Sequence, residues 1–227
     1  MVCFSCNKKN EKEKEFVIYI ANPKEQKVKL YWKNENLTFK SIENLKKYLE
    51  SQNQNLEFAM NGGMFENGNS PKGLYIENSK ILKNIDTLNG NGNFYLEPNG
   101  VFLLTKNGDT DIIETKKYKQ NPQIEFATQS GPMLLINNGE INPTFQQESK
   151  NLNIRNGVGI LENGNIIFAM SKKEINFYNF AKLFKDLDCK KALYLDGFVS
   201  RTYAPTKKWE QIDGNFGVII GITENKK

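Results

Sequence analysis

The stretch Leu193-Tyr-Leu-Asp-Gly-Phe-Val-Ser-Arg201 is the starting point, because an apolar run ends there in a carboxylate, a glycine, a hydroxyl and an arginine. The pattern from Ala192 to Leu195 predicts a short interior strand. Gly197 lets the backbone turn at once, so Asp196 would be held at a rigid strand end. We therefore take Asp196 as the first candidate catalytic residue. A plain Asp-Gly turn between two strands is the alternative, and this stretch alone favours neither.

Around this stretch, the chain predicts strands joined by tight turns. Asn-Gly, a strong hairpin signal, begins at residues 67, 89, 91, 99, 107, 138 and 163. The alternation of apolar residues predicts several pairs of hairpin arms. These pairs are 16–20 with 27–32, 74–76 with 80–85, 94–96 with 101–104, 133–136 with the segment after 139, and 158–161 with 166–169.

Two segments have the period of amphipathic helices. Residues 41–52, capped by Ser41 or Thr38, place Ile42, Leu45 and Leu49 on one face. Residues 176–187 do the same with two phenylalanines and two leucines, and residues 216–222 predict a closing strand. We expect an α+β fold with a mainly antiparallel or mixed sheet built from hairpins and about two packed helices.

The composition excludes several classes of protein. Histidine is absent from the 227 residues, so there is no Ser-His-Asp triad, no Cys-His dyad and no histidine-built metal site. The net charge of +5 is dispersed among acidic residues, which argues against a nucleic-acid partner. Three cysteines cannot form a disulfide framework, and Cys189 is expected to be a small buried apolar residue.

Residues 1–15 differ in composition from the rest of the chain. A charged run without apolar residues follows Cys6, so this part cannot join a core. Ser5 before Cys6 is like the end of a bacterial lipoprotein signal, although the basic and apolar regions of such a signal are missing. We expect residues 1–15 to be a disordered tether or signal remnant and residues 16–227 to form one domain. A lipid anchor through Cys6 would place the protein in the periplasm or cell envelope; if Met1 is the true start, a cytoplasmic location follows. We find no transmembrane segment.

Four clusters of polar residues and glycine adjoin apolar strands. They are Asn61-Gly62-Gly63, Gln129-Ser130-Gly131-Pro132, Arg155-Asn156-Gly157-Val158-Gly159 and Asp196-Gly197. Glycine allows a ligand close to the backbone, and N–H groups at such bends can hold an anion. Only two of the 31 cationic residues are arginine, Arg155 and Arg201, which indicates places where a planar fork is needed for phosphate or carboxylate. The alternative is an arginine that binds backbone carbonyls.

A set of motifs in this order resembles the phosphodiester glycosidase family, in particular its small bacterial branch. The motifs are Asn61-Gly-Gly-Met-Phe65, Pro71-Lys-Gly-Leu-Tyr75, Asn93-Phe-Tyr-Leu96, Pro98-Asn-Gly-Val-Phe102, Phe126-Ala-Thr-Gln-Ser-Gly-Pro-Met133, Arg155-Asn-Gly-Val-Gly159 and Tyr194-Leu-Asp-Gly197. Many relatives carry a second glycine after the Asp-Gly pair, where this chain has Phe198.

The resemblance implies a hydrolase that cleaves the bond between a sugar and a phosphodiester of an envelope glycoconjugate. Asp196 would be the base or nucleophile, Arg155 would hold the phosphate, and Glu66 would be a possible second carboxylate. The substrate would be a carbohydrate or glycosyl phosphate, contacted by further polar residues and by glycines that make room. These substrate-binding candidates are Asn61, Gly62, Gly63, Gln129, Ser130, Gly131, Asn156, Gly197, Ser200 and Arg201.

Two alternatives remain. Asp86 and Asp213 could bind a calcium-like cation together with Asp196, but a turn or strand-end role is simpler and we expect no cofactor. The whole protein could also be a non-catalytic module that binds envelope glycan or an anionic sugar.

Overall fold

Residues 12–35 and 37–225 are described by a computed structural model. Short alternating runs form the strands. In chain order these are β1 (Phe16–Ala21), β2 (Lys27–Tyr31), β3 (Lys33–Asn34), β4 (Leu37–Thr38), β5 (Gln54–Asn61), β6 (Phe65–Glu66), β7 (Ser70–Pro71), β8 (Tyr75–Glu77), β9 (Lys80–Lys83), β10 (Gly100–Thr105), β11 (Thr110–Glu114), β12 (Ile124–Ser130), β13 (Met133–Ile136), β14 (Glu140–Ile141), β15 (Asn156–Ile160), β16 (Ile166–Ser171), β17 (Lys191–Asp196), β18 (Thr202–Ala204), β19 (Trp209–Glu210) and β20 (Ile219–Asn225).

Within residues 37–225 the helices are α1 (Ile42–Ser51) and α2 (Phe177–Asp186), with 3₁₀ turns at Asn67–Asn69, Asn93–Tyr95, Thr115–Lys117 and Pro205–Lys207. Both α-helices begin as the sequence predicts. Ser41 accepts a hydrogen bond from the Asn44 N–H, and Asn176 accepts one from the Asn179 N–H. None of the helices in the described part of the chain is long and apolar enough to span a membrane.

Three larger antiparallel sheets make up the body of the protein. Their strand orders are β1-β16-β15-β17-β13-β14, β11-β10-β12-β8-β9 and β19-β18-β5-β20-β2. The expected α+β fold with mainly antiparallel sheets is therefore confirmed.

A large apolar cluster lies between the three sheets. Each sheet contributes buried side chains to it, for example Phe168 and Leu193 from the first, Phe102 from the second and Phe58 from the third. The outer face of the first sheet is covered by α2 and that of the third by α1. Cys189 is buried in the cluster beneath α2, and burial raises the pKa of its thiol to about 12. It is thus the small buried apolar residue that the sequence predicts.

Two of the predicted hairpins are wrong. The strands β1 and β2 do not pair with each other, because β1 pairs with β16 and β2 with β20. Residues 93–95 form a 3₁₀ turn instead of an arm, and β10 pairs with β11 and β12. The hairpins β8–β9, β13–β14 and β15–β16 are confirmed.

Residues 12–15, which precede the predicted domain, are among those that the structure describes. Residues 12–15 have helical backbone, and the Lys172 N–H donates to the Glu15 carbonyl at 2.8 Å. Lys207 pairs with Glu13 at 2.8 Å. A backbone hydrogen bond and an ion pair thus hold this segment at the surface, outside the core. Cys6 lies outside the described residues.

Candidate active site

The ends of four strands from all three sheets meet at one place. Asn61 ends β5, Ser130 ends β12, Asn156 begins β15 and Asp196 ends β17. The first three are buried and Asp196 is partly buried. The structure thus brings together one residue from each of the four polar-glycine clusters.

Asn156 links two of these strand ends. Its Nδ2 donates to the backbone carbonyl of Asn61 at 2.9 Å and to Oδ1 of Asn61 at 2.8 Å, while its Oδ1 accepts from the Asp196 N–H at 2.9 Å. Asn61 Oδ1 also accepts from the Arg201 N–H at 3.0 Å. Among the described residues, Nδ2 of Asn61 has no hydrogen-bond partner although it is buried. A buried donor without a partner is costly, so this group is suited to a bound ligand.

Asp196 is held by its own turn. Its Oδ1 accepts from the N–H groups of Gly197 at 2.6 Å and Phe198 at 3.2 Å. Burial raises the pKa of the carboxyl to about 6, against the lowering effect of these two N–H groups. The carboxylate is therefore ionised at neutral pH and still basic enough to accept a proton.

Neighbouring hydroxyl groups fix the backbone around Asp196. The Ser130 hydroxyl donates to the Leu195 carbonyl at 2.8 Å, and the Ser200 hydroxyl donates to the Asp196 carbonyl at 2.9 Å. Phe198 is 95% exposed beside the carboxylate. The turn thus presents a fixed carboxylate, with the exposed ring of Phe198 at its outer edge.

Arg155 is fully buried behind this turn. Its Nε donates to the Ile175 carbonyl at 2.7 Å and its Nη2 to the Asn151 carbonyl at 2.9 Å, and the guanidinium lies 3.7 Å from the Phe177 ring centroid. Nη1 makes no hydrogen bond of normal geometry to any described residue. Two of its nitrogens therefore bind backbone carbonyls, as in the alternative considered for this arginine, and phosphate contact stays a prediction.

Arg201 and Gln129 have partners within the protein. Nε of Arg201 contacts both oxygens of Asp213 at 2.8 and 2.9 Å. The Gln129 side chain accepts from the N–H groups of Leu74 and Asp86 and donates to the Asp86 carbonyl at 2.6 Å. Gln129 thereby fixes the loop that follows β9.

The glycines of the four clusters lie against protein atoms. A Cβ on Gly62 would be 2.8 Å from Ile220 Cγ1, and one on Gly131 would be 2.6 Å from the Phe94 carbonyl oxygen. At Gly63 the nearest atom would be the Thr128 hydroxyl, at 2.8 Å. These glycines therefore give room to neighbouring protein groups.

The other carboxylates selected from the sequence are Glu66, Asp86 and Asp213. Glu66 is exposed and lines a groove with Asp86, whose Oδ2 accepts from the Tyr95 hydroxyl at 2.9 Å. Asp213 is paired with Arg201. Within residues 12–35 and 37–225, no group of three or more Cys, Asp or Glu side chains is arranged to hold a metal ion.

Two residues at the site were not selected from the sequence. Tyr194 is buried with its hydroxyl against Gly197, and Asn93 lies in the 3₁₀ turn that packs on Gly131. Both residues stand in motifs quoted above, but Tyr194 has the pattern of a core residue of a strand. Asn93 reaches the site only because the turn at 93–95 packs on Gly131.

Comparison with known proteins agrees with this architecture. A family model described as phosphodiester glycosidase matches residues 54–220. The Escherichia coli K12 protein YigE is 40% identical over 188 residues, which cover 82% of this chain and 72% of YigE.

Solved structures share the fold. The catalytic domain of zebrafish N-acetylglucosamine-1-phosphodiester alpha-N-acetylglucosaminidase, auto-inhibited by its pro-peptide, superposes with a TM-score of 0.64 at 17% identity, covering 92% of this chain and 83% of that one. A putative exported protein of Burkholderia pseudomallei superposes with a TM-score of 0.57 at 10% identity, covering 91% and 73%. By the family model, which matches residues 54–220, the chain belongs to the phosphodiester glycosidase family, a family of glycosidase-type hydrolases.

Proposed function

We propose that this protein hydrolyses the glycosidic bond between C1 of a sugar and a phosphodiester, in an envelope glycoconjugate or a related molecule. The observation that carries the proposal is Asp196. This residue is a partly buried carboxylate at the end of an interior strand, one of its oxygens is fixed by two N–H groups, and its pKa is raised to about 6. The chain that carries it belongs to a glycosidase family.

The chemistry needs one base and stabilisation of a departing phosphate. A water oxygen attacks C1, the bond from C1 to the phosphate oxygen breaks, and its electron pair leaves with the phosphate. Asp196 takes the proton from the water, or attacks C1 itself in a two-step route that water completes. A phosphate is a weakly basic leaving group, so charge stabilisation matters more than a strong general acid.

Asn61 is proposed to orient the sugar or the water. Its unpartnered Nδ2 is a donor at the strand end next to Asn156 and Asp196. The Ser130 hydroxyl donates to a carbonyl and can still accept a hydrogen bond from a ligand.

Arg155 is proposed to supply the positive charge for the phosphate, with Nη1 as the nitrogen left for a contact. The guanidinium is planar and permanently charged, and burial strengthens its electrostatic effect. Glu66 and Arg201 are proposed as outer substrate contacts, since both lie at the surface.

An envelope location with a lipid anchor through Cys6 remains a proposal supported by the sequence around that cysteine. Mass spectrometry of the protein from its native host decides it. An acylated Cys6 is the expected result, and an unmodified Cys6 overturns the anchor.

Release of sugar from a panel of synthetic sugar-1-phosphodiesters tests the activity. We expect turnover by the parent protein and a loss of about a hundredfold or more in Asp196→Asn, because the variant cannot accept the proton. If the parent and Asp196→Asn bind the substrates equally well and neither turns them over, the protein is a glycan-binding module instead.

A further inference from the structure

Phe198 is an apolar residue that the fold leaves in water. It is 95% exposed, the largest fraction among the large apolar residues of the described part of the chain. It belongs to none of the apolar clusters that the described residues form. Its backbone does not have the left-handed conformation that would restrict the choice of residue here. The ring therefore contributes nothing to the packing of the protein.

The turn that carries Phe198 is fixed on both sides of it. The Phe198 N–H donates to Oδ1 of Asp196 at 3.2 Å, and the Ser200 N–H donates to the Gly197 carbonyl at 3.3 Å. The Ser200 hydroxyl donates to the Asp196 carbonyl at 2.9 Å, and Val199 packs against the apolar cluster beneath α1. The backbone thus holds the ring beside the carboxylate before any ligand binds, so a contact with the ring costs little additional ordering.

Exposure increases outward through the candidate active site. Asn61 and Ser130 are fully buried, Asp196 is partly buried and Phe198 is exposed. A substrate with its C1 at Asp196 turns the sugar hydroxyls toward the buried polar groups. The alcohol on the far side of the phosphate, a large group in a glycoconjugate, then leaves the site through its open edge. Phe198 lies at that edge.

The chemistry of the ring limits what it can recognise. A phenyl group has no hydrogen-bond donor or acceptor, so it gains from a partner only by removing apolar surface of both from water. Single exposed apolar residues are common on protein surfaces and need no special role. Phe198 differs because it is two residues from the candidate catalytic carboxylate, and ligand sites typically combine an apolar surface with a few polar groups.

We propose that Phe198 is a specificity-determining residue, whose ring packs against an alkyl part of the alcohol esterified to the phosphate. The substrate class is therefore a sugar-1-phosphodiester with an apolar group next to the phosphate on the side away from the sugar. This rests on the proposed function, because it names the substrate class of that site. The bonds that break and form in the reaction stay the same.

A pair of substrates that differ only in the alcohol tests the proposal. They are the methyl and the hexyl diesters of each sugar 1-phosphate in the panel, and kcat/KM is measured for both. The variants are Phe198→Ala and Phe198→Leu, of which the second keeps an apolar side chain. The matched control is Leu37→Ala, at a residue of β4 that is 80% exposed.

The ratio of kcat/KM for the hexyl and methyl diesters is the informative quantity. A variant that is partly unfolded, or in which Asp196 has moved, loses rate on both substrates and keeps the ratio. We expect the parent and Leu37→Ala to prefer the hexyl diester about tenfold or more, because burial of alkyl groups against the ring is favourable. The preference should fall to about twofold or less in Phe198→Ala and be largely retained in Phe198→Leu. A parent without a preference, or an unchanged preference in Phe198→Ala, overturns the proposal.

If the parent hydrolyses neither diester of any sugar, the proposed function fails by itself, and calorimetric binding of the same diesters decides the role of Phe198. Tighter binding of the hexyl diester by the parent and Leu37→Ala, lost in Phe198→Ala, supports the apolar contact. Equal binding of the two diesters by the parent, the same preference in all proteins, or binding by none overturns it.

Discussion

Asn156 is joined to Asn61 by two hydrogen bonds from one nitrogen, at 2.9 Å to the backbone carbonyl and 2.8 Å to the side-chain oxygen. The two residues are on different sheets, and the other end of the Asn156 amide accepts the Asp196 N–H. One buried amide thus fixes the distance between the strand that carries Asp196 and the strand end that carries Asn61.

Asn156→Ala should therefore weaken the fold as well as the site. Removal of the amide leaves the Asn61 carbonyl and the Asp196 N–H without this partner, so the free energy of unfolding should fall by about 2 to 3 kcal/mol. Urea denaturation measures it. Asn107→Ala, in an exposed turn, is the control and should change little; equal stability of the two variants would contradict the role of Asn156.

Asp196→Asn should stabilise the protein at neutral pH. The folded pKa of about 6 is above the ordinary 3.8, so the native state binds the proton more tightly and stability falls as the pH rises from about 4 to 6. Asparagine does not ionise and removes this loss, which amounts to roughly 3 kcal/mol at most. The difference in unfolding free energy between variant and parent should grow over this pH range and then stay constant. A constant difference from pH 4 to pH 8 would contradict the raised pKa.

The pH dependence of hydrolysis should have the same origin. If ionised Asp196 is the base or nucleophile, kcat/KM should rise with pH and level off above an apparent pKa of about 6. A profile of kcat/KM between pH 4 and pH 8 measures this. A rate that falls as the pH rises through 6 would require the protonated form of the carboxyl and would exclude both roles.

Part of the site was predictable because it depends on local pattern. An apolar run that ends at Asp196 gives a strand end, and Asn61, Ser130 and Asn156 each adjoin such a run beside a glycine. Tyr194 was not selected, because its position in the strand is that of a core residue and nothing in the local pattern shows that its hydroxyl lies against Gly197. For the same reason β1 and β2 were wrongly paired, because the apolar alternation of both strands specifies the face each buries but not its partner.

Gly197→Ala should disturb Tyr194 in particular. The new Cβ would be 2.1 Å from the hydroxyl oxygen but 3.3 Å from the ring carbon Cζ. We expect a loss of about 1 to 3 kcal/mol from overpacking in the parent and a smaller loss in the Tyr194→Phe background. Thermal or urea unfolding of the four proteins of this cycle measures the coupling. Strictly additive losses would show that the hydroxyl does not occupy this space.

Arg155→Lys and Arg201→Lys form a pair, since these are the two arginines of the chain. A lysine at 155 cannot bridge the carbonyls of Ile175 and Asn151 as the guanidinium does, so stability should fall by about 2 to 3 kcal/mol. Arg201 pairs with Asp213 at the surface, where the loss should stay below about 1 kcal/mol. Equal losses in urea denaturation would contradict a structural part for Arg155.

The most direct measurement is hydrolysis of a sugar-1-phosphodiester in water enriched in heavy oxygen, with mass spectrometry of both products. Attack of water on C1 puts the label in the sugar and leaves the phosphate unlabelled, and this is the result we predict. Label in the phosphate would mean that the bond from phosphorus to oxygen breaks instead. That result would contradict a glycosidase reaction directed by Asp196.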